Sequence, residues 1–591
     1  METFLTNLLK ERFWQSLPRP IPPEISLDKI AIDFSSLEFG DYSTSFAIKF
    51  WQNFGFKNPY EFARSLVGKL QKDRGLAKIV SEIEVAGPSF INFWLDGKLL
   101  VRQSQEILKQ GGGYGNSSFL KGKKFLIEHT SPNIIKTLHV GHVRNNIIGM
   151  FLARLFGFLG AKTKMDCINN DRGIHIMKAV WAFQKYNDGR TPETEKMKPD
   201  HFVDQFYVRG AKEEENPAVK EEMHELLRKW EAKDKRVRQT WKKLTSWVHQ
   251  GFSETYKNLG SHHDKNWYES EFYEKGRKTV LQGLKKGVFK KLSDGAILSN
   301  LQDYKLPDTI LLRADGTTMY HTQDLWLTQL KRKYLPGARY FWVVGPEQTL
   351  YLKQLYVMCE QMGIGKSQDY EHVSYGYVFL KGKGKMSSRA GTIISADELL
   401  NMAVEKARET MNTAGIVKNL PEHEKQKITK LIGIGAVKYA MLKHARLSDI
   451  QFDLEETVGL EGDSGPYIQY VYARCKSVIE KAKRKPSFRA QVEGAQSAKL
   501  QDSVNLNGDE LIILRWLTRF PEVLIKSAEL LAPNLVCSYL FELCQKFNYF
   551  YQKNRIIGSE SESFRLMLTK AVSQVIKNGL WLLGIEAPER M

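Results

Sequence analysis

The chain has 591 residues, enough for several domains at about 100–200 residues each. Hydrophobic residues make up 42% and charged residues 26%, an ordinary soluble composition, and no apolar run approaches the roughly 18 residues that a membrane span needs. The formal net charge of +20, with a pI near 9.4, suits a polyanionic partner such as nucleic acid, and equally a generally basic surface.

The start, "METFLTNLLKERFWQSLPRP", carries Glu2 and Glu11 and no cleavable apolar core, so no secretory signal is expected. The five cysteines, Cys167, Cys359, Cys475, Cys537 and Cys544, are scattered and lack zinc-knuckle spacing. They point to a reducing, cytoplasmic setting.

The first region, 1–117, reads as a small α+β module. "NPYEFARSLVGKL" predicts a helix capped by Asn58 with Pro59 in its first turn. "SEIEVAGPSFINFWL" predicts two strands joined at Gly87-Pro88. The glycine-rich "QGGGYGNSS", from Gln110 to Ser118, reads as a linker.

The second region, 118–394, opens on the strand "KKFLIEHT" and alternates strands with helices, the pattern of a parallel α/β sheet. A highly charged helical insertion is expected at about 181–289. Residues 395–470 read as helical, and 471–591 as a helical domain. Val536, Leu540, Leu543, Phe547 and Phe550 form one apolar stripe, and Phe564, Leu568, Val572, Val575 and Leu582 another. The stretch between the two helical regions, "KAKRKPSFRAQVEGAQSAKLQDSVNLNG", reads as a loose surface loop.

Two elements carry chemistry. "EHTSPNIIKTLHVGHVRNN" places His139 and His142 where a strand ending at Glu128 gives way to a helix. A metal would need three or four ligands, and no cysteine lies close by in sequence, so no metal site is expected there. A phosphate suits the stretch better. A helix start offers free N–H groups and the positive end of a dipole, Gly141 leaves the backbone approachable, and two imidazoles can donate to oxygens gaining charge. Far along the chain, "KGKGKMSSRAGT" combines glycines with Lys381, Lys383, Lys385 and Arg389, as suits a loop closing on a polyphosphate and equally a basic surface loop.

Together HVGH and KMSSR resemble the HIGH and KMSKS signatures of class I aminoacyl-tRNA synthetases. The segments "SPNIIKTLHVGHVRNNIIG", "LLRADGTTMYHTQDL", "GIGAVKYAMLKHARLSDIQFD", "LEGDSGPYIQYVYAR" and "LLGIEAPERM" narrow the resemblance to the arginyl-tRNA synthetase family. "DYSTSFAIKF" and "EVAGPSFINFWL" are similar to that family's N-terminal module.

The resemblance implies a Rossmann-like α/β catalytic domain, an N-terminal α+β tRNA-recognition module and a C-terminal all-helical anticodon-binding domain. It implies that L-arginine is activated by ATP, with Mg²⁺ bound along with the ATP, and passed to tRNA(Arg) by a monomer with no membrane association. By resemblance, His139, His142 and Lys385 assist the phosphates. Gly141, His372, Tyr375, Gly376, Met386, Ser387, Ser388 and Arg389 join them around ATP. Glu128, Tyr320 and Asp324 hold the guanidinium, a group of five donors and no acceptor. Asn133 and Gln348 hold the α-amino group, and Phe90 and Asn92 touch tRNA.

There are departures. Ser388 stands where the second lysine of KMSKS is usual, with Arg389 after it. "CINNDRGIHI" stands in place of a GDWGTQFG-like segment, so no role carries over to Arg172 or His175. Rival readings are a nucleotidyltransferase sharing the first motif, a class I synthetase for another amino acid, and an inactive tRNA-binding relative.

Overall fold

The computed structural model describes residues 4–381, 394–416, 418, 420–484 and 505–591. The KMSSR segment, with Lys383, Lys385, Met386, Ser387, Ser388 and Arg389, lies outside the described residues, as does most of the expected surface loop before the last helices.

Strand Lys124–Glu128 is buried at all but its first residue, with an apolar middle, as suits a central parallel strand. It stands mid-sheet, between Lys162–Asn169, followed by Lys265–Tyr268, on one side and Arg339–Val343, followed by Tyr370–Val373, on the other. All four pairings are parallel. Chain order therefore reverses between Lys124–Glu128 and Arg339–Val343, and a crevice at the carboxyl ends of strands on either side of such a switch is where α/β sheets bind ligands.

The helix after the first strand, Val140–Phe158, is apolar nearly all round. It is buried accordingly, between the sheet and helices Glu422–Leu442, Phe520–Leu530 and Glu562–Leu582. This helix bears HVGH at its amino end.

The interval expected to be a helical insertion holds helices Pro199–Glu213, Pro217–Glu231 and Lys235–Leu259, but also the outer sheet strand Lys265–Tyr268. "DTILL" extends as Thr309–Leu312, which belongs to a separate three-stranded antiparallel sheet and not to the parallel one. Helix Gly465–Lys483 runs through the boundary expected at 470/471.

In the N-terminal module, Asn58 caps helix Pro59–Leu70 by accepting from Glu61 N at 2.8 Å. Strands Val80–Ala86 and Phe90–Leu95 pair antiparallel. The module packs on the C-terminal helices: Tyr42 donates to Glu522 at 3.0 Å, and Arg519 donates to Ser35 O at 2.8 Å. The glycine-rich segment expected to be a free linker is a packed strap. Tyr114 is buried and donates to Leu517 O, and Asn578 donates to both Gly111 O and Tyr114 O.

Candidate active site

A cleft of about 680 Å³ opens at the switch point. Its lining includes Glu128, Asn133, His139, Gly141, His142, Tyr320, Asp324, Gln348, Tyr375 and Gly376, ten of the residues singled out in the sequence. His372 does not line it. This residue sits on the outer strand Tyr370–Val373, and its ring pairs with the carbonyl of Val344, a lining residue, at 3.2 Å. Phe90 is exposed on the distant N-terminal module, whereas Asn92 is only 2% exposed and turns its amide toward Glu84 at 3.5 Å. A buried amide offers tRNA nothing to read, so only Phe90 of that pair stands on the surface.

The two imidazoles are capping groups. His139 Nδ1 accepts from Gly141 N at 3.1 Å, and His142 Nδ1 accepts from His139 N at 3.2 Å. The rings lie 3.9 Å apart. Gly141 is needed for this geometry, because a Cβ there would stand 2.9 Å from the His139 ring. Burial, with Lys136 adding to it, pushes His139 down to about 4. Burial, His139 and Lys136 push His142 well below its ordinary value. Both rings are thus neutral near pH 7. A neutral imidazole whose Nδ1 accepts carries its proton on Nε2. Each ring therefore keeps an Nε2–H donor for an anion in the cleft.

The turn after Glu128 puts Thr130 and Ser131 at positive φ, +70° and +40°. Such strain costs on the order of 1–3 kcal/mol per residue and persists only where neighbours hold it. Asn145, one turn into the HVGH helix, accepts from Thr130 N at 2.6 Å and donates to Tyr375 Oη at 3.1 Å. Ser131 Oγ, aimed by the turn, donates to Glu128 at 2.9 Å.

Asp324 follows Tyr320 by one turn of helix Tyr320–Tyr334, so both reach the same cleft. Asp324 accepts from the Tyr351 hydroxyl. Burial, together with nearby Glu128, pushes its carboxyl up to about 6 despite that bond. A cation entering here would lower it again. Gln348 and Asn133 stand at the mouth on short turns.

Three features had no signal strong enough to single them out. Arg144, wholly buried, donates to Gly376 O, to Arg446 O at 3.1 Å and to Ser448 O at 3.0 Å, clamping the Tyr375-Gly376 wall. Lys331 pairs with Glu128 and with Asp166, the latter at 2.9 Å. His175, in the departing segment, lines the cleft.

Asp200, His201 and Asp397 are the one grouping of possible metal ligands among the described residues. The Lys198 ammonium stands among them, 3.2 Å from Asp200 and 2.7 Å from Asp397, in the place a cation would take.

The family described as "tRNA synthetases class I (R), catalytic domain" matches residues 103–454. The chain belongs to the arginyl-tRNA synthetase family. The family's "Arginyl tRNA synthetase N terminal domain" matches 5–95, and the "DALR anticodon binding domain" matches 468–591. An arginine–tRNA ligase of Parabacteroides distasonis is 36% identical over 487 residues, 79% of this chain and 80% of that one. One of Treponema denticola is 35% identical over 540 residues, 90% of each. The fold matches the arginyl-tRNA synthetases of Thermus thermophilus (TM-score 0.80, 22% identity) and Plasmodium falciparum (0.78, 20%), over 100% of each chain.

Proposed function

We propose that this chain is an arginine–tRNA ligase that activates L-arginine with ATP and transfers it to the 3′ end of tRNA(Arg), releasing AMP and pyrophosphate. One observation carries the reading: the carboxylates of Glu128 and Asp324 share a single cleft with the HVGH imidazoles. A cationic side chain and a polyphosphate can therefore lie end to end in it.

The guanidinium lies against Glu128, Asp324 and the Tyr320 hydroxyl, with the α-amino group toward Asn133 and Gln348. The arginine carboxylate then faces the start of helix Val140–Phe158. It attacks the α-phosphorus of ATP, the bond to the β-phosphate oxygen breaks, and pyrophosphate leaves with that electron pair. The Nε2–H groups of His139 and His142, at the positive end of the helix dipole, stabilise the developing charge. Lys385 and Arg389 supply the cationic side of the phosphates. Mg²⁺ arrives with ATP as part of the substrate. In the second step a terminal ribose hydroxyl attacks the arginyl carbonyl and AMP departs. Neither step needs a covalent enzyme intermediate, so positioning and charge do the work.

For tRNA, the +20 net charge favours a polyanion. Helix Asn534–Lys553 buries Phe547 and Phe550 in the core but exposes Tyr549 and Tyr551. Arg474 lies over Tyr551 at 5.2 Å and Lys553 over Tyr549 at 4.1 Å. Aromatic faces beside cations suit an unstacked anticodon loop. Phe90 offers a second aromatic face on the N-terminal module. All five cysteines are buried free thiols, in keeping with a reducing cytoplasm. We take the active form as a monomer.

ATP–pyrophosphate exchange with tRNA present tests the reading. It predicts exchange that depends on arginine. Tight tRNA binding without exchange would make the chain a binding protein instead.

A further inference from the structure

We infer that Asp166 and Lys331 are positioning residues for arginine recognition, acting through Glu128 as one buried three-charge unit. This rests on the reading of the cleft as an arginine site. Glu128 ends its strand, and Asp166, inside the neighbouring parallel strand Lys162–Asn169, stands directly opposite it in register. Both are buried, at 4% and 0% exposure. Two bare carboxylates so placed would repel.

Lys331 prevents this. It lies on helix Tyr320–Tyr334, seven residues and two turns beyond Asp324, and so on the same face. Its ammonium bonds Glu128 and Asp166 and rests 4.9 Å from the Trp342 ring, itself part of the cleft wall. Burial alone would depress the ammonium's pKa. Asp166 and Glu128 more than reverse that, and it is held above its ordinary value.

The count of charges and the pairing both matter. One cation divided between two anions leaves one net negative charge. A lysine devoted to Glu128 alone would cancel the carboxylate that the guanidinium needs. Asp166 takes the other share, with Trp267 Nε1 donating to it at 2.8 Å to hold it in place. Glu128 is meanwhile fixed from both sides, by Lys331 and by Ser131 Oγ. It presents a set orientation and an uncancelled charge to the incoming substrate, beside Asp324.

The test uses Asp166→Asn and Lys331→Met in the full-length chain, measuring KM for arginine and for ATP separately in pyrophosphate exchange with tRNA present. Asp166→Asn is isosteric and leaves Lys331 wholly to Glu128, so arginine KM is expected to rise about tenfold or more with ATP KM within about twofold. Lys331→Met is expected to show the same split, because Glu128 loses its holder. Whichever variant keeps the parent's melting transition decides. Arginine KM unchanged, or both KM values rising in parallel, overturns the proposal. Absence of arginine-dependent exchange in the unmodified chain would instead overturn the arginine reading itself.

Discussion

Ser395 is bridged antiparallel to His139. Val140 N donates to Ile394 O at 3.4 Å and Ala396 N to Leu138 O at 2.7 Å, so the chain just after KMSSR is tied to the first turn of the HVGH helix. Ser395 also caps helix Ala396–Thr413, accepting from Glu398 N at 3.1 Å. Two residues on, Asp397 is gripped by Lys198 at 2.7 Å and His201 at 2.8 Å. Burial would raise its carboxyl, yet His201 and Lys198 bring it down to about 2. Removing the cap in Ser395→Ala costs about 1 kcal/mol of local stability, which sets a ceiling of about fivefold on the rise in ATP KM. Steady-state exchange should show that rise with arginine KM unmoved.

The paired histidines give a spectroscopic prediction. With Nδ1 accepting a backbone N–H in each, both should appear as Nε2–H tautomers in ¹⁵N NMR of histidine-labelled protein at pH 7. Neither should gain a second proton until well below pH 6, since burial depresses both. Titration of either near 6.5 in the free protein would contradict the capping geometry. Replacing His142 with Asn should lower the exchange rate by about 10²–10³-fold, as for other preorganised donors to a developing oxyanion, while arginine KM stays within a small factor.

On the proposed reading, Asp324 couples arginine binding to pH. Its carboxyl is raised to about 6 in the free protein and falls when a guanidinium arrives, so binding releases a proton below that value. Affinity should be full above pH 6 and weaken by about one decade per pH unit below it, since one proton competes. Calorimetry from pH 5 to 8 measures this directly. Asp324→Asn should bind arginine weakly and with that dependence gone.

Gly376 forms part of the cleft wall under the Arg144 clamp. A Cβ there would stand 2.3 Å from Ser448 O, a backbone atom that cannot swing aside. Gly376→Ala should therefore cost about 1–3 kcal/mol by thermal melting and raise ATP KM. A variant as stable as the parent, with ATP KM unchanged, would refute a role for this wall.

What the sequence made legible was local. The Asn58 cap, the hairpin at Gly87-Pro88 and the single turn between Tyr320 and Asp324 each depend on residues a few positions apart. The cleft was legible because its main parts sit in two short segments, around Glu128–His142 and Tyr320–Asp324. The remainder depends on what lies next to what in space. Nothing near Lys331 in "LKRKY" marks it as buried; its place between Glu128 and Asp166 depends on the strand order. Asn92 shares its strand face with exposed Phe90 yet is only 2% exposed, which sequence spacing alone left open. His372 lies on the strand beside the cleft but does not line it. The edge strand Lys265–Tyr268 is four residues long and is hidden among charged helices. The Gly111–Tyr114 strap looks flexible in composition, but two hydrogen bonds from Asn578 fix it.

The most direct measurement is charging of a total tRNA pool with labelled arginine, beside a lysine control, in the presence of ATP and Mg²⁺. The account predicts arginine attached to tRNA, no lysine attached, and loss of charging in Asp324→Ala. Lysine charged as well as arginine, or tRNA bound tightly with neither amino acid attached, would contradict it.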